Sequence, residues 1–139
     1  MKKISSMAVY CGSSVGNNHL FLEAAENIGK FLANNNIKLI YGGGNLGLMG
    51  AVSGATLKNG GEVMGVITSH LINKEKINKD LTDIHIVDSM SERKNKMFNA
   101  ADAFLILPGG IGTLEEFFEI LSWKQLKIHS KEEIPIHIV

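Results

Sequence analysis

AFLILPGGIGTLEE, residues 103–116, joins three structural signals in one short segment. Its first five residues are wholly apolar, which is typical of a strand that is covered on both faces of a parallel sheet. The glycine-containing run at 108–113 then interrupts the strand. From Leu114 onward, apolar residues recur at helical spacing. A strand, a glycine loop and a helix in this order form the repeating part of a β-α-β unit.

The same order recurs along the whole chain. Strand-like apolar runs occupy residues 7–11, 37–41, 62–67, 84–87, 103–107 and 134–139. Helical spacing occupies residues 21–32, 46–57, 91–101 and 114–126. The polar segment 68–80 predicts a surface excursion with one helical turn. This alternation predicts an α/β fold: a Rossmann-like, doubly wound parallel sheet in three α/β/α layers, forming one domain over residues 1–139.

The last predicted strand ends the chain without a helix after it, so the predicted fold is C-terminally short. A parallel sheet is normally covered on both faces. We therefore expect this end of the sheet to need a cover, either from another subunit or from further residues.

Composition excludes several classes of protein. Fourteen acidic residues balance fourteen basic ones, so no overall charge favours nucleic acid or a membrane surface. No apolar run is long enough for a membrane-spanning helix, and no signal peptide is recognised. Cys11 is the only cysteine, which excludes an internal disulfide and favours the cytoplasm. The histidines lack metal-ligand spacing, so we expect no metal site.

A glycine loop at residues 42–47 formally matches the dinucleotide-binding fingerprint. That fingerprint needs an acidic residue at the end of the following strand, where it binds the ribose. Glu62 has about the right spacing but begins the strand instead of ending it. A loop whose glycines let a ligand or a neighbouring loop approach closely is the favoured interpretation, and NAD binding is the weaker one.

The glycine loop at 108–113 predicts an anion site. Glycines allow backbone N–H groups to point inward, and the helix that follows adds its positive end. Thr113 can donate a hydroxyl, so a phosphate fits here. The alternative is a capping box, in which Thr113 at the N-cap and Glu116 satisfy each other's backbone amides. A capping box leaves the three glycines and Glu115 unexplained.

Arg93 and Lys94 are predicted to lie in the first turn of a helix, where cations are electrostatically unfavourable. They are either two solvated surface cations or partners of an anion. A phosphate in the loop at 108–113 would supply that anion to Arg93, because the carboxyl ends of neighbouring parallel strands meet at one edge of the sheet.

These two motifs, MSERK at 90–94 and PGGIGTLEE at 108–116, resemble the paired signature of the LOG (Lonely Guy) family. VYCGSS at 9–14 and YGGGNLGLMG at 41–50 are similar to the same family. LOG proteins are cytokinin riboside 5′-monophosphate phosphoribohydrolases, many once labelled lysine decarboxylases. The resemblance runs from about residue 7 to the end of the chain, and most members continue past the position of Val139.

The resemblance implies hydrolysis of the N-glycosidic bond of AMP or N6-modified AMP, which gives a free base and ribose 5-phosphate. It implies Arg93 and Glu116 as the catalytic pair, no cofactor, and a homodimer or larger homo-oligomer. The residues implied in substrate binding are Ser13, Ser14, Gly44, Met90, Lys94, Gly109, Gly110, Gly112, Thr113 and Glu115.

Two other functions stay open on the sequence alone. A shortened relative could bind a nucleotide or another phosphorylated ligand without turning it over, and a redox enzyme could use the loop at 42–47 for NAD. The old decarboxylase label would require a lysine that forms a Schiff base with pyridoxal phosphate. No lysine of the sequence stands in a context that singles it out for that role.

Overall fold

A six-stranded parallel sheet forms the centre of the fold in a computed structural model, which describes residues 3–12, 19–72, 80–107, 109, 111–126 and 135–138. All five strand pairings are parallel. The strands are β1 (Ser6–Tyr10), β2 (Lys38–Tyr41), β3 (Val63–Thr68), β4 (Asp83–Val87), β5 (Ala103–Ile106) and β6 (Ile136–Ile138). The predicted parallel sheet is therefore confirmed.

Helices follow the strands as the spacing predicts. They are α1 (His19–Asn34), α2 (Gly47–Lys58), α3 (Met90–Ala100) and α4 (Ile111–Leu126). The excursion after β3 begins with a single 3-10 turn, Ser69–Leu71, and residues 73–79 lie outside the described ranges. None of the helices within those ranges combines the length and the apolar character that crossing a bilayer requires.

The start of α3 is determined by its own sequence. Ser89 is the N-cap, and its hydroxyl accepts a hydrogen bond of 3.1 Å from the backbone N–H of Glu92. The Glu92 carboxylate in turn accepts a hydrogen bond from the backbone N–H of Asp88. A serine followed three residues later by glutamate is the capping-box pattern, which satisfies amides that the helix itself leaves free. This cap fixes the first residue of α3 and thereby the positions of Arg93 and Lys94 along the helix.

Two apolar layers cover the two faces of the sheet. Alternate residues of one strand point to opposite faces, so Val9 and Leu105 pack on one face and Tyr10 and Phe104 on the other. The first face is covered by Ala25 and Leu32 of α1 with Leu48 and Val52 of α2. The second is covered by Met97 and Phe98 of α3 with Ile120 of α4. The predicted three-layer α/β/α arrangement is confirmed.

The strand order is β4-β3-β2-β1-β5-β6. The chain builds outward from β1 on one side and then returns to its other side with β5, which pairs Val9 with Leu105 and Tyr10 with Ile106. At such a switch point the loops after the two strands diverge and leave a crevice. The crevice between β1 and β5 is thus the expected position of a ligand.

One helix boundary differs from its prediction. Helix α4 begins at Ile111 instead of residue 114, so Thr113 lies inside its first turn and the capping box with Thr113 as N-cap is wrong. The glycines at 109–112 favour a loop because glycine is a poor helix former. In a first turn, however, the backbone N–H groups need no partner within the helix. Gly112 is therefore tolerated there.

Candidate active site

A cavity of about 270 Å³ opens at the carboxyl end of β1, at the switch point. Helices α3 and α4 form its walls, and the loop after β2 forms part of its floor. Among the described residues its lining is Val9, Tyr10, Cys11, Gly12, Gly42, Met49, Leu71, Met90, Arg93, Lys94, Met97, Thr113, Glu115 and Glu116. Both residues of the implied catalytic pair therefore reach the same cavity.

Arg93 is buried, with 5 % of its surface exposed. Its Nε–H donates to the carbonyl of Val66 at 2.8 Å, and its Nη2–H donates to the carbonyl of Gly42 at 2.7 Å. These bonds hold the guanidinium against the ends of β2 and β3, where it faces the cavity. The interpretation of Arg93 as a solvated surface cation is therefore wrong, because backbone carbonyls take up its charge.

The glycine loop after β2 is shaped by this arginine and by β3. A Cβ atom on Gly42 would overlap with the guanidinium of Arg93, so the position has no room for a side chain. Gly43 has a φ of +82° and packs against Gly65 of β3. The carbonyl of Gly44 accepts a hydrogen bond of 2.8 Å from the hydroxyl of Tyr41. Gly44 is buried and does not line the cavity.

Within the described part of the chain, the structure does not place an acidic residue where NAD binding at this loop would require one for the ribose. Glu62 lies just before β3, which begins at Val63. It is therefore at the amino edge of the sheet, opposite the cavity. Gly42 and Gly43 permit the close approach of a buried arginine and of a neighbouring strand. The interpretation of a close approach therefore holds for these two glycines, although the partners are a side chain and a strand instead of a ligand or a loop.

The cavity strongly perturbs the ionisation of the Glu116 carboxyl group. Burial raises its pKa to about 7, against the opposing charges of Arg93 and Lys94 and with a further increase from Glu115 and Glu119. A carboxyl group that titrates near neutral pH can both accept and return a proton under ordinary conditions. Such a shift in a cleft is characteristic of functional groups.

Lys94 is bound to α4 and is mostly covered. Its Nζ lies 2.5 Å from Oε1 of Glu115 and 2.9 Å from Oε2 of Glu119. Its side chain is 18 % exposed. The hydrogen bonds that Lys94 donates, first to Glu115 and then to Glu119, raise its pKa. Like Arg93, it is thus not a free surface cation, and its partners are carboxylates.

The anion loop approaches the cavity from β5. A Cβ atom on Gly109 would overlap with the Thr113 side chain and would lie 2.9 Å from the backbone nitrogen of Gly12. The loops after β1 and β5 therefore touch at this glycine. Thr113 is buried, and Gly112 lies in the first turn of α4. Ser13, Ser14 and Gly110 lie outside the described residues.

The sequence assigned no role to Tyr10 or Leu71, although both line the cavity. Burial, together with the charges of Glu116 and Glu119, raises the pKa of Tyr10. Burial raises the pKa of Cys11 to about 12, so its thiol stays protonated at neutral pH. The position of Tyr10 and Cys11 at the end of a buried strand beside a glycine loop is the signal that could have identified them. Leu71, in the turn after β3, carries no such signal.

The comparisons with known proteins agree with this geometry. A model of the family described as "Possible lysine decarboxylase" matches residues 49–139. The chain belongs to this family. The name LOG, to which the motifs pointed, is carried by its curated relatives.

Three of those relatives show the extent of the match. The chain is 46 % identical over 125 residues to "Probable cytokinin riboside 5'-monophosphate phosphoribohydrolase LOGL9" of Oryza sativa subsp. japonica, covering 90 % of this chain and 55 % of that protein. It is 43 % identical to LOG1 of Arabidopsis thaliana, with 93 % and 61 % covered. It is 42 % identical to the "Cytokinin riboside 5'-monophosphate phosphoribohydrolase" of Rhodococcoides fascians, with 91 % and 64 % covered. The chain thus spans 55–64 % of these relatives.

Solved structures agree on the fold. The Moco carrier protein of Chlamydomonas reinhardtii superposes with a TM-score of 0.78 at 20 % identity, covering 99 % of this chain and 76 % of that chain. The molybdenum cofactor binding protein of Rippkaea orientalis gives a TM-score of 0.73 at 20 % identity, covering 100 % and 79 %. At this identity the likeness concerns the fold alone.

Proposed function

We propose that the protein hydrolyses the N-glycosidic bond of AMP or of N6-modified adenosine 5′-monophosphates, releasing the free base and ribose 5-phosphate. The names of the relatives support this reaction. The observation that carries the proposal is the Glu116 carboxyl group, whose pKa is raised to about 7 by burial in a cavity that it shares with Arg93.

Glu116 suits the chemistry of this bond. Cleavage between C1′ of the ribose and the base nitrogen passes through an oxocarbenium-like state, which an adjacent carboxylate stabilises. Water then forms the new bond to C1′ and gives its proton to Glu116. The base leaves with the electron pair of the broken bond, and Glu116 returns the proton to it. A pKa near 7 allows both transfers at neutral pH.

Arg93 keeps Glu116 available in its ionised form. Its positive charge is the largest effect that opposes the rise of the Glu116 pKa. Two backbone carbonyls fix the guanidinium, so this charge needs no rearrangement when substrate enters. We assign Arg93 to the orientation of Glu116 and to attraction of the anionic nucleotide.

The phosphate is assigned to the start of α4. The first turn of this helix offers free backbone N–H groups and the positive end of its dipole. Thr113, whose side chain carries a hydroxyl, also lines the cavity. In this assignment Gly109, Gly110 and Gly112 provide the backbone approach, with Ser13 and Ser14 beside them.

An assay of base release tests the proposal. The wild-type protein is incubated with AMP and with N6-isopentenyl-AMP, and free base is quantified by chromatography. We expect Glu116→Gln to lower kcat about a hundredfold or more, because general acid–base catalysis contributes at least that much. Glu62→Gln, a matched substitution at the opposite edge of the sheet, should leave kcat unchanged.

Two results would refute the enzyme proposal: no base released by the wild type, or full activity in Glu116→Gln. The alternative, a module that binds nucleotide without turnover, predicts a different pair of results. Calorimetry would then detect AMP binding, and long incubation would release no base.

We further propose that the protein acts as a homodimer or larger homo-oligomer in the cytoplasm. Leu114, Phe118 and Leu121 follow one another along the outer side of α4, and each is more than a third exposed. Apolar residues at this spacing form a stripe that another protein surface can cover. Light scattering after size exclusion tests the assembly, and a monomeric mass would exclude it.

A further inference from the structure

The Lys94 ammonium is shared by two carboxylates of α4. Glu115 and Glu119 are four residues apart, so they lie one above the other on the helix surface. Lys94 reaches both from α3, at 2.5 and 2.9 Å. Exposure increases from Lys94, at 18 %, to Glu119, at 32 %, and Glu115, at 62 %. The most covered member of this trio is therefore the cation.

This trio is a poor ligand for a phosphate. An ammonium group has three N–H donors, and two of them are directed to Glu115 and Glu119. One positive and two negative charges leave the trio with a net charge of −1. An incoming phosphate would have to displace a carboxylate and would meet the repulsion of both. If the substrate-binding role implied for Lys94 were to hold the phosphate, it would conflict with these contacts.

The trio lies directly beside Glu116. Lys94, Glu115 and Glu116 line the main cavity together. Behind it, a second and much smaller cavity is lined by Lys94, Glu116 and Glu119. Glu116 thus borders both cavities, and each of them is also lined by Lys94 and by one of the two other carboxylates. Among the described residues, the titratable and charged groups that face it are Tyr10 of β1 and Cys11 just after it, Arg93 and Lys94 of α3, and Glu115 and Glu119 of α4.

We propose that Lys94 is a positioning residue for Glu116: by binding Glu115 and Glu119 it fastens α3 to α4 and offsets part of the negative charge beside the reacting carboxyl group. Its kinetic consequence rests on the proposed function. Without the ammonium, two unpaired negative charges would stand beside Glu116. Like charges favour the protonated form of a carboxyl group, so Glu116 would lose the ionised state in which it stabilises the ribose.

Lys94→Met tests the proposal on two independent readouts. The first is the titration of the Glu116 carboxyl in the ligand-free protein, followed by NMR of ¹³C-labelled glutamate and assigned with Glu116→Gln. We expect its midpoint to rise by about one pH unit, as the loss of a neighbouring opposite charge predicts. The second is base release, which should fall about fivefold at pH 7 and recover at higher pH, with the KM for AMP close to that of the wild type.

Lys96→Met is the matched control. Lys96 lies on the same helix and does not line the cavity, so neither the Glu116 titration nor base release should change. Lys94→Arg should keep the Glu116 titration and base release close to those of the wild type, because a guanidinium can also bind two carboxylates.

Glu115→Gln combined with Glu119→Gln keeps the test decisive if Lys94→Met fails to fold. This double variant removes the two negative charges and leaves the ammonium, so the Glu116 midpoint should fall instead of rise. An unchanged midpoint in either folded variant would overturn the proposal. So would a rise in KM of roughly tenfold or more with an unchanged pH profile, which is the result expected of a phosphate ligand.

The two proposals fail separately. The NMR titration needs no turnover, so it tests the role of Lys94 even if the wild type releases no base. Base release by the wild type with an unperturbed Glu116 titration in Lys94→Met would retain the enzyme and reject the positioning role.

Discussion

At the scale of single residues, the site places a carboxyl group where ionisation is costly. Glu116 keeps its proton up to about pH 7 in the folded chain, against a usual pKa of 4.5, chiefly because it is buried. The folded state therefore binds more protons than the unfolded state between these two values. Stability from this group is present at low pH and is lost as the pH rises through about 7.

Glu116→Gln should reveal this cost. A glutamine resembles the protonated acid and cannot ionise, so we expect the variant to be more stable than the wild type at pH 8 by up to about 3 kcal/mol. At about pH 4, below both pKa values, the difference should nearly vanish. Urea unfolding at both pH values measures it, with Glu62→Gln as the exposed control. A variant that becomes less stable relative to the wild type as the pH rises would contradict the raised pKa.

Arg93 illustrates what a sequence conceals at this scale. Its motif indicated a cation close to the start of a helix, where positive charge is unfavourable, and Arg93 is indeed the fourth residue of α3. Its partners, the carbonyls of Gly42 and Val66, are far away along the chain. No local pattern reports such contacts, since they depend on how the ends of β2 and β3 meet α3. The same holds for Lys94 and its two carboxylates.

At the scale of elements, α1 and α2 are joined by a close backbone approach. A Cβ atom on Gly29 of α1 would lie 2.6 Å from the carbonyl oxygen of Val52 and 2.8 Å from the Cβ of Ala55. Both atoms belong to α2, and neither is the end of a flexible side chain. For Gly54 of α2, by contrast, the neighbouring turns of its own helix backbone aside, no described atom beyond the adjacent residues lies within 4 Å of such a Cβ. The two glycines thus occupy opposite environments.

Alanine substitutions at these glycines should shift stability in opposite directions. Gly29→Ala has to separate the two helices, which we expect to cost about 1–3 kcal/mol. Gly54→Ala lies in an exposed helix interior, where alanine is favoured over glycine by up to about 1 kcal/mol. Thermal unfolding of both variants measures the contrast. Equal effects of the two substitutions would disprove the close packing of α1 on α2.

Sequence periodicity predicted the elements well and one of their boundaries poorly. The apolar runs that become β1 and β5 are short, bounded by glycine and covered on both faces, so their pattern is unambiguous. Helix α4 starts three residues earlier than its apolar spacing indicates because glycines precede that spacing. A first turn held by the surrounding loops does not need good helix formers.

At the scale of the whole molecule, a ligand of the cavity connects both halves of the sheet. Binding to the folded state alone raises its stability by about 2.7 kcal/mol at a ligand concentration of 100 Kd. For a chain of this size we expect AMP to raise Tm by about 10 °C under those conditions. NAD should have no effect, since the residue that would bind its ribose lies at the opposite edge. Stabilisation by NAD and not by AMP would support the redox alternative.

The strand order β4-β3-β2-β1-β5-β6 also sets when the cavity can form. Strands β1 to β4 are adjacent in sequence and can pair as they leave the ribosome, whereas β5 must return to β1 from the far end of the chain. Contacts between residues that lie so far apart in sequence form slowly. Until they close, one edge of β1 stays open and apolar, exposed to pairing with other chains. The crevice proposed to bind the ligand is therefore also the place where folding of the sheet is completed.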